Sequence, residues 1–347
     1  MFKDIAIDQC DFDRYTFVDV RSPSEYREIT IPGSVNIPVF DDGERAEVGT
    51  LYKKVSKEVA MERGLEIFSA KLPRFIKECK KLDGQIVVFC WRGGMRSKAA
   101  ATFLDLMGMK TLRVQGGVRA YRHWVLKGLE EFEMKSDTFV LNGGTGIGKT
   151  AILKELQKEG YPILDIEGLA NHRGSIFGEI GLTANNQKTF DSLLFQELKK
   201  LKKSPFLLFE AESKRIGKLL LPDFLVEVKE KNAFHLFIEM PMKMRVDHIL
   251  QEYRLHEHHE EFVEAFRLIK RRIHSPVANE IEAELKEKNY ERILELLLEY
   301  YYDPRYRHMA NQYPAERRVT IKVHSIEEAY QEIKKLLQEK SSLVPVQ

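Results

Sequence analysis

Eight consecutive residues restrict the fold of this chain more than any others: Gly143, Gly144, Thr145, Gly146, Ile147, Gly148, Lys149 and Thr150. They follow Thr138-Phe-Val-Leu-Asn142, an apolar run of strand length, and precede Ala151-Ile-Leu-Lys-Glu-Leu156, which is spaced as a helix. A Gly-x4-Gly-Lys-Thr loop between strand and helix is a phosphate cradle, or P-loop. The glycines let main-chain N–H groups wrap an anion, Lys149 adds a point charge, and the Thr150 hydroxyl can reach a metal. Four more apolar runs, Pro162–Asp165, Phe206–Glu210, Phe234–Ile238 and Val319–Val323, are separated by helix-length sequence. That alternation predicts a parallel sheet with helices on both faces. Asp165 and Glu210 close two of the strands, where open α/β sheets gather their ligands. Either could hold a metal through water or simply solvate a strand end, and the spacing leaves both readings open.

Two polar blocks begin at those strand ends. Asp165, Glu167, Asn171, His172, Arg173 and Ser175 lie in the first, and Glu210, Glu212, Ser213 and Arg215 in the second. Loops this rich in functional groups after buried strands predict a second set of site residues, although Ser213 also suits a helix cap. Their arginines suit a diphosphate or the phosphates of RNA.

A second loop of the same kind stands earlier. Ile86-Val-Val-Phe89 is continuous and mostly β-branched, as in a strand covered on both faces. Cys90-Trp91-Arg92-Gly93-Gly94-Met95-Arg96-Ser97 follows, then a helical pattern over Lys98–Met107 with Gly108 as its stop. A cysteine on such a turn is expected near free amides and the positive end of a helix dipole, both of which favour thiolate. Gly93 and Gly94 can turn N–H groups inward as an anion nest. Arg96 is expected to curl back over the sulfur, and the sulfur is expected to open at the mouth of the strand, wide enough to admit a nucleotide base. A buried structural cysteine is the plainer alternative, but it gives the glycines and arginines no packing purpose.

The chain has 347 residues, 43% of them hydrophobic and 31% charged, with a net charge of +2. That length predicts two domains. We place them at residues 1–128, carrying the Cys90 loop, and 129–347, carrying the P-loop and a helical C-terminal part. No apolar run reaches membrane-spanning length, and the first residues lack a signal-peptide pattern. Three cysteines, Cys10, Cys79 and Cys90, cannot all pair and show no metal spacing, which predicts a reducing, cytoplasmic setting. Cys79 falls in helical register with Leu72, Phe75, Ile76 and Leu82 and reads as core. His123, in the segment expected to close the first domain, reads as a packing residue. The small net charge requires any nucleic-acid contact to come from local patches.

The order Asp19-Val-Arg21-Ser-Pro-Ser-Glu-Tyr26, then Ile31-Pro-Gly-Ser-Val-Asn-Ile-Pro38, then the Cys90 loop resembles a rhodanese domain, although Ile29-Thr30 stand where Gly-His is usual. Asp19 and Arg21 are expected to form a structural ion pair, and Ser22 or Ser24 to cap a short helix behind Pro23. Fused to a P-loop domain, this arrangement resembles the bacterial tRNA 2-selenouridine synthases. Further residues carry the likeness: Glu44-Arg-Ala-Glu-Val-Gly-Thr-Leu-Tyr-Lys53, the two polar blocks, and Tyr301-Tyr-Asp-Pro-Arg-Tyr306. The fold implied is α/β, with an N-terminal rhodanese-like domain and a C-terminal P-loop NTPase-like domain built on a parallel sheet.

The resemblance further implies a tRNA-modifying transferase. It would convert 5-substituted 2-thiouridine at the wobble position of lysine, glutamate and glutamine tRNAs to 2-selenouridine. Selenophosphate is the implied selenium donor and geranyl diphosphate the implied alkylating co-substrate, with an S-geranyl intermediate. Cys90 would carry selenium as a perselenide, with Arg92, Arg96 and the loop amides on the donor phosphate. Gly143–Thr150 would hold the diphosphate, with Mg2+ as a candidate and no tightly bound cofactor. The enzyme that makes selenophosphate is an implied partner; a membrane is not. Arg267, Lys270 and Arg271 at helical spacing, with Arg272, are the preferred tRNA patch. His256-Glu-His-His259 lacks the ligand spacing of a metal site and reads as a polar helix face. Two rivals remain: a cysteine-dependent phosphatase or sulfurtransferase fused to a nucleotide-binding module, since Cys-x5-Arg also marks cysteine phosphatases, and an NTP-driven regulatory module with an inert cysteine.

Overall fold

The structure is a computed structural model and describes residues 2–306 and 312–340. The chain forms two compact units, residues 1–131 with 191–195, and residues 132–190 with 196–347.

The first unit contains β1 (Lys3–Ile5), β2 (Tyr15–Asp19), α1 (Pro23–Glu28), β3 (Val35–Asn36), α2 (Asp42–Lys54) and α3 (Lys57–Cys79). β4 (Gln85–Phe89), α4 (Met95–Leu106), β5 (Thr111–Val114) and α5 (Gly117–Glu130) follow. Its five strands pair in the order β1-β5-β4-β2-β3, every pair parallel. β4 is central, and Val87, Val88 and Phe89 are fully buried, as a strand with both faces covered requires. Val18, Cys79 and Leu104 are likewise fully buried, each removing apolar area worth about 1.5 to 3 kcal/mol per large aliphatic side chain. Cys79 is core, as its register predicts, and burial pushes its thiol up to about 12. Ser22 precedes α1, and its N–H donates to the Glu25 carboxylate at 3.3 Å. Arg21 and Asp19 form the expected ion pair, buried, at 2.6 Å.

The second unit begins with β6 (Asp137–Gly143), α6 (Lys149–Lys158), β7 (Ile163–Leu164), α7 (Ile166–Ala170), α8 (Gln187–Leu201) and β8 (Phe206–Glu210). The hairpin β9 (Arg215–Ile216) and β10 (Leu219–Leu220), then α9 (Asp223–Lys231) and β11 (Phe234–Glu239), follow. Next come α10 (Met242–Tyr253), α11 (His259–Ile269), α12 (Ser275–Glu287), α13 (Tyr290–Leu297) and α14 (Asp303–Tyr306). β12 (Arg318–Lys322) and α15 (Ile326–Lys340) complete it. The parallel sheet runs β12-β11-β6-β8-β7, again with the loop-bearing strand in the middle. Helices α10–α13 build a separate apolar cluster. In α13, Tyr290, Ile293, Leu294 and Leu297 recur at helical spacing and are buried. A π-helical turn, Leu298–Tyr302, joins α13 to α14. Among the described residues no helix is long and apolar enough to cross a membrane.

Candidate active sites

Cys90 follows the central strand β4 in the first unit. Trp91–Gly94 make the turn, and α4 already starts at Met95, three residues before the helical pattern suggests. Arg96 and Ser97 therefore sit in a helix first turn, which changes where they point. Arg96 does not curl over the sulfur. Its guanidinium forms a two-pronged pair with Glu25 of α1, with Nη2 at 3.0 Å. Burial raises the Glu25 pKa, but the Arg96 hydrogen bond and charge outweigh it, and the carboxyl ends below its usual range. Ser97 instead faces the cysteine, with Oγ 3.2 Å from Cys90 Sγ, and donates to Gly94 O at 3.3 Å.

Cys90 is only 3% exposed, so the expected opening for a nucleotide base is absent. The reason lies in the backbone. Val118 N and Arg119 N, at the start of α5, donate to the carbonyls of Cys90 and Trp91 at 2.9 and 3.0 Å. Gly117 has φ +58°, and a Cβ there would lie 2.0 Å from the Cys90 carbonyl oxygen, so only glycine permits this approach. With its carbonyls tied to α5, the turn leaves its N–H groups over. Among the described residues the N–H groups of Trp91, Arg92, Gly93 and Gly94 make no hydrogen bond. Trp91, Arg92, Gly94 and Met95 are exposed above the buried sulfur, and the Trp91 ring lies 5.9 Å from the Arg21 guanidinium. The site is thus a buried thiol beside a turn whose N–H groups are unbonded among the described residues.

The P-loop of the second unit opens onto a cavity of about 690 Å³. Gly146 has φ +86°, and a Cβ there would meet the Arg245 carbonyl at 2.9 Å. Lys149 Nζ rests on Gly143 O at 3.2 Å, and Thr150 Oγ1 donates to Glu167 at 2.7 Å. Of the second-site candidates, Glu167, Arg173, Ser175, Glu212 and Ser213 line this cavity with Thr145–Thr150. Arg173 is held there by Glu252 at 3.1 Å, with its guanidinium 4.5 Å from the centre of the Tyr253 ring.

Asp165, Asn171, His172 and Arg215 lie outside that lining. Asp165 caps α7 by accepting from Gly168 N at 2.8 Å. Asn171 ends α7 in the left-handed conformation, donating to Thr183 O at 2.7 Å. His172 is buried, accepts from Gly174 N at 3.1 Å, and is pushed down by that burial. Arg215 lies exposed in the β9–β10 hairpin, outside the cavity lining.

Glu210 is fully buried. Its Oε1 accepts from Glu167 N at 2.6 Å, while Oε2 has no partner among the described residues. Burial first, then the Glu167 and Asp165 carboxylates, raise its pKa well above the usual value. Glu212 is pushed up to about 8, by burial and then by Glu167. No group of three or more His, Cys, Asp or Glu among the described residues surrounds a common metal position. Thr150 and Glu167, hydrogen-bonded at 2.7 Å on the cavity wall, offer oxygen donors of the kind a hard cation takes through water and phosphate.

Sequence reasoning missed the frame of the cavity. Arg245 of α10 donates to Thr145 O at 2.9 Å and forms a two-pronged pair with Asp303 at 2.7 and 3.0 Å. Tyr301, Tyr302, Arg305 and Tyr306 supply an aromatic wall, with the Arg305 guanidinium 3.6 Å from the Tyr301 ring centre. The Tyr301–Tyr306 motif marked these residues without revealing their task.

The predicted RNA patch falls at a helix end. α11 ends at Ile269 and continues directly into a 3-10 turn over Lys270–Arg272, so the spacing of Arg267, Lys270 and Arg271 spans the two. Lys270 pairs with Glu282 at 2.6 Å, Arg272 lines the P-loop cavity, and Arg267 and Arg271 are exposed.

Both domains match known families. Residues 136–287 match the family described as tRNA 2-selenouridine synthase AAA domain, and residues 3–123 the rhodanese-like domain. A tRNA 2-selenouridine synthase of Bdellovibrio bacteriovorus is 31% identical over 336 residues, covering 83% of this chain and 87% of that protein. The chain belongs to the tRNA 2-selenouridine synthase family. A relative of that name from Nitrosomonas europaea is 32% identical over 249 residues, 69% of this chain and 63% of that protein, so the chain spans under two thirds of its length. A solved rhodanese-related protein of Thermoplasma volcanium is 25% identical, covering 37% of this chain and 94% of that one, with a TM-score of 0.23.

Proposed function

We propose that this protein is a tRNA-modifying enzyme that replaces the sulfur of a 5-substituted wobble 2-thiouridine with selenium. Selenophosphate is the donor, and alkylation of the sulfur by geranyl diphosphate comes first. The observation that carries the reading is one chain of this family holding two distinct anion sites, a thiol under four free N–H groups and a P-loop cavity walled by tyrosines. Lys149 and the P-loop amides suit the diphosphate, and Tyr253, Tyr301 and Tyr302 suit a prenyl chain. Thr150 and Glu167 would hold Mg2+, which would neutralise diphosphate charge. The substrates in mind are the lysine, glutamate and glutamine tRNAs, and the enzyme that makes selenophosphate is the natural supplier.

Alkylated sulfur leaves C2 more readily than a thiocarbonyl does, so selenium enters as geranyl thiol departs. Selenium has the same oxidation level in selenophosphate and in the product, whereas a perselenide on Cys90 needs a two-electron oxidant. A thiol only 3% exposed is also poorly placed to hand an atom directly to a base. We therefore assign Cys90 attack on the donor's phosphorus. The S–P bond forms, the P–Se bond breaks, hydrogen selenide leaves for C2, and water later frees phosphate from the sulfur. Arg92 and the free N–H groups of the turn suit the phosphoryl oxygens.

The test is mass analysis of nucleosides from tRNA incubated with the protein, selenophosphate and geranyl diphosphate. Selenouridine should form with the wild type, and Cys90→Ser should yield S-geranyl nucleoside with no selenium. Unchanged selenation in Cys90→Ser would remove Cys90 from the chemistry, and release of phosphate from a generic aryl phosphate with no selenation of tRNA would favour the phosphatase rival.

A further inference from the structure

On the first unit, a second cavity of about 490 Å³ is lined by Arg92, Gly116, Arg119, Ala120 and His123. His123, read from sequence as packing, is exposed, as are Arg92 and Arg119. No carboxylate lines the cavity. Among the described residues these three side chains make no ion pair or hydrogen bond, although the chain has 53 acidic residues to offer partners.

The arrangement is built rather than incidental. Arg119 and His123 stand four apart on α5, on one helical face. Between them the floor is Gly116 and Ala120, and a Cβ on Gly116 would lie 2.7 Å from Ala120 Cβ, so larger side chains there would fill the hollow. Arg92 closes the other side from the Cys90 turn. The hydrogen bonds from Val118 N and Arg119 N to Cys90 O and Trp91 O lock α5 to that turn, so the main-chain positions carrying the three side chains keep a fixed relation to the thiol.

We infer that this hollow is a phosphate-recognition site which grips the backbone of the tRNA substrate, with Arg119 and His123 as its dedicated contacts. The inference rests on the tRNA-modifying function proposed above. Shared phosphate chemistry leaves two sources, the RNA backbone and selenophosphate. An open, exposed hollow of this size suits a phosphodiester chain that continues past it. The small donor suits the four unbonded N–H groups of Trp91–Gly94 beside the thiol.

The experiment measures binding of a lysine tRNA transcript to the full-length protein across a salt series, for wild type, Arg119→Gln and Arg119→Gln/His123→Gln, with the KM for selenophosphate in parallel. Each lost phosphate contact should lower the log–log salt slope by about 0.7 to 0.9 and weaken binding at low salt. The selenophosphate KM and the unfolding temperature should not move, since both side chains are exposed and unpaired. A raised selenophosphate KM with unchanged tRNA affinity would transfer the hollow to the donor and overturn the inference. Unchanged affinity and slope in the double variant would overturn it as well. Wild type without tRNA affinity would overturn the parent function itself, which separates the two failures.

Discussion

The Cys90 turn and the P-loop are built alike and finish differently. Each follows the central strand of a five-stranded parallel sheet, turns on glycines and leads into a helix. Around the P-loop, α10 and the Tyr301–Tyr306 segment stand back, leaving a cavity of about 690 Å³. Around Cys90, the start of α5 is bonded directly to the turn, and the thiol is left 3% exposed. The difference teaches that a glycine-rich turn sets up donors, whereas the next element in space decides whether they meet a large ligand or a small one. In the function proposed here, the open turn takes the diphosphate with its organic tail and the closed one the compact donor anion.

The sharpest division between the two sites comes from Lys149→Ala. Loss of one charge-assisted contact should weaken diphosphate binding roughly 10- to 150-fold. Calorimetry with geranyl diphosphate measures it. Alkylation of Cys90 by iodoacetamide should keep its wild-type rate, and a change in both would show that the two sites are not independent.

Asp303→Ala tests whether the P-loop is held from outside. It leaves the Arg245 guanidinium, 8% exposed, without its carboxylate. Stability should fall by about 2 to 3 kcal/mol, below the range for a fully buried pair because Asp303 is itself 20% exposed. Thermal unfolding reads the loss, and geranyl diphosphate should recover less stability than in the wild type. At the Cys90 turn the corresponding side-chain pair, Arg96 with Glu25, holds the first turn of α4, while the turn's own carbonyls are held by backbone hydrogen bonds from α5.

The buried Glu212 on the wall of the P-loop cavity predicts a pH dependence of stability. Glu212 has a folded-state pKa of about 8 against an ordinary 4.5, so the folded protein holds a proton that the unfolded chain has released. Its contribution to stability is therefore complete below about pH 4.5 and is lost as pH rises toward 8, at no more than about 1.4 kcal/mol per pH unit. Glu212→Gln should flatten denaturant midpoints over that window. An equally steep profile in the variant would assign the slope to Glu210 alone.

Much of this was legible in the amino-acid order. The Gly143–Thr150 spacing and the apolar runs around it predicted the second sheet, and the Asp19–Arg21 pair and the core role of Cys79 followed from local pattern. What escaped were contacts whose partners lie far away in sequence. Arg96 looked free because Glu25 is 71 positions earlier. Arg245 drew no notice because its meaning depends on Asp303 and on one carbonyl of the P-loop. The hairpin β9–β10 has two-residue strands, too short for an alternating pattern to register. Helix boundaries also misled. An α4 starting at Met95 redirects Arg96 and Ser97, and the basic run from Arg267 passes from an α-helix into a 3-10 turn after Ile269.

The smallest expected effect lies at Ser97, and it probes what the closed turn offers in place of Arg96. Its Oγ is the polar side-chain atom paired with Cys90 Sγ, at 3.2 Å, and it bridges to Gly94 O. When the sulfur carries negative charge, that hydroxyl can rotate to donate to it, leaving Gly94 O to the helix amide of Lys98, which already reaches it at 3.0 Å. A hydrogen bond to a charged group is worth about 1.5 to 3 kcal/mol when intact, but the free N–H groups of the turn remain in Ser97→Ala, so the net loss should be smaller. Iodoacetamide alkylation of Cys90 should slow only a few-fold. Ser97→Thr keeps the hydroxyl and should recover most of that rate. A Ser97→Ala protein that alkylates at the wild-type rate would show that the N–H groups of the turn alone govern the sulfur, making the two turns more alike than their side chains suggest.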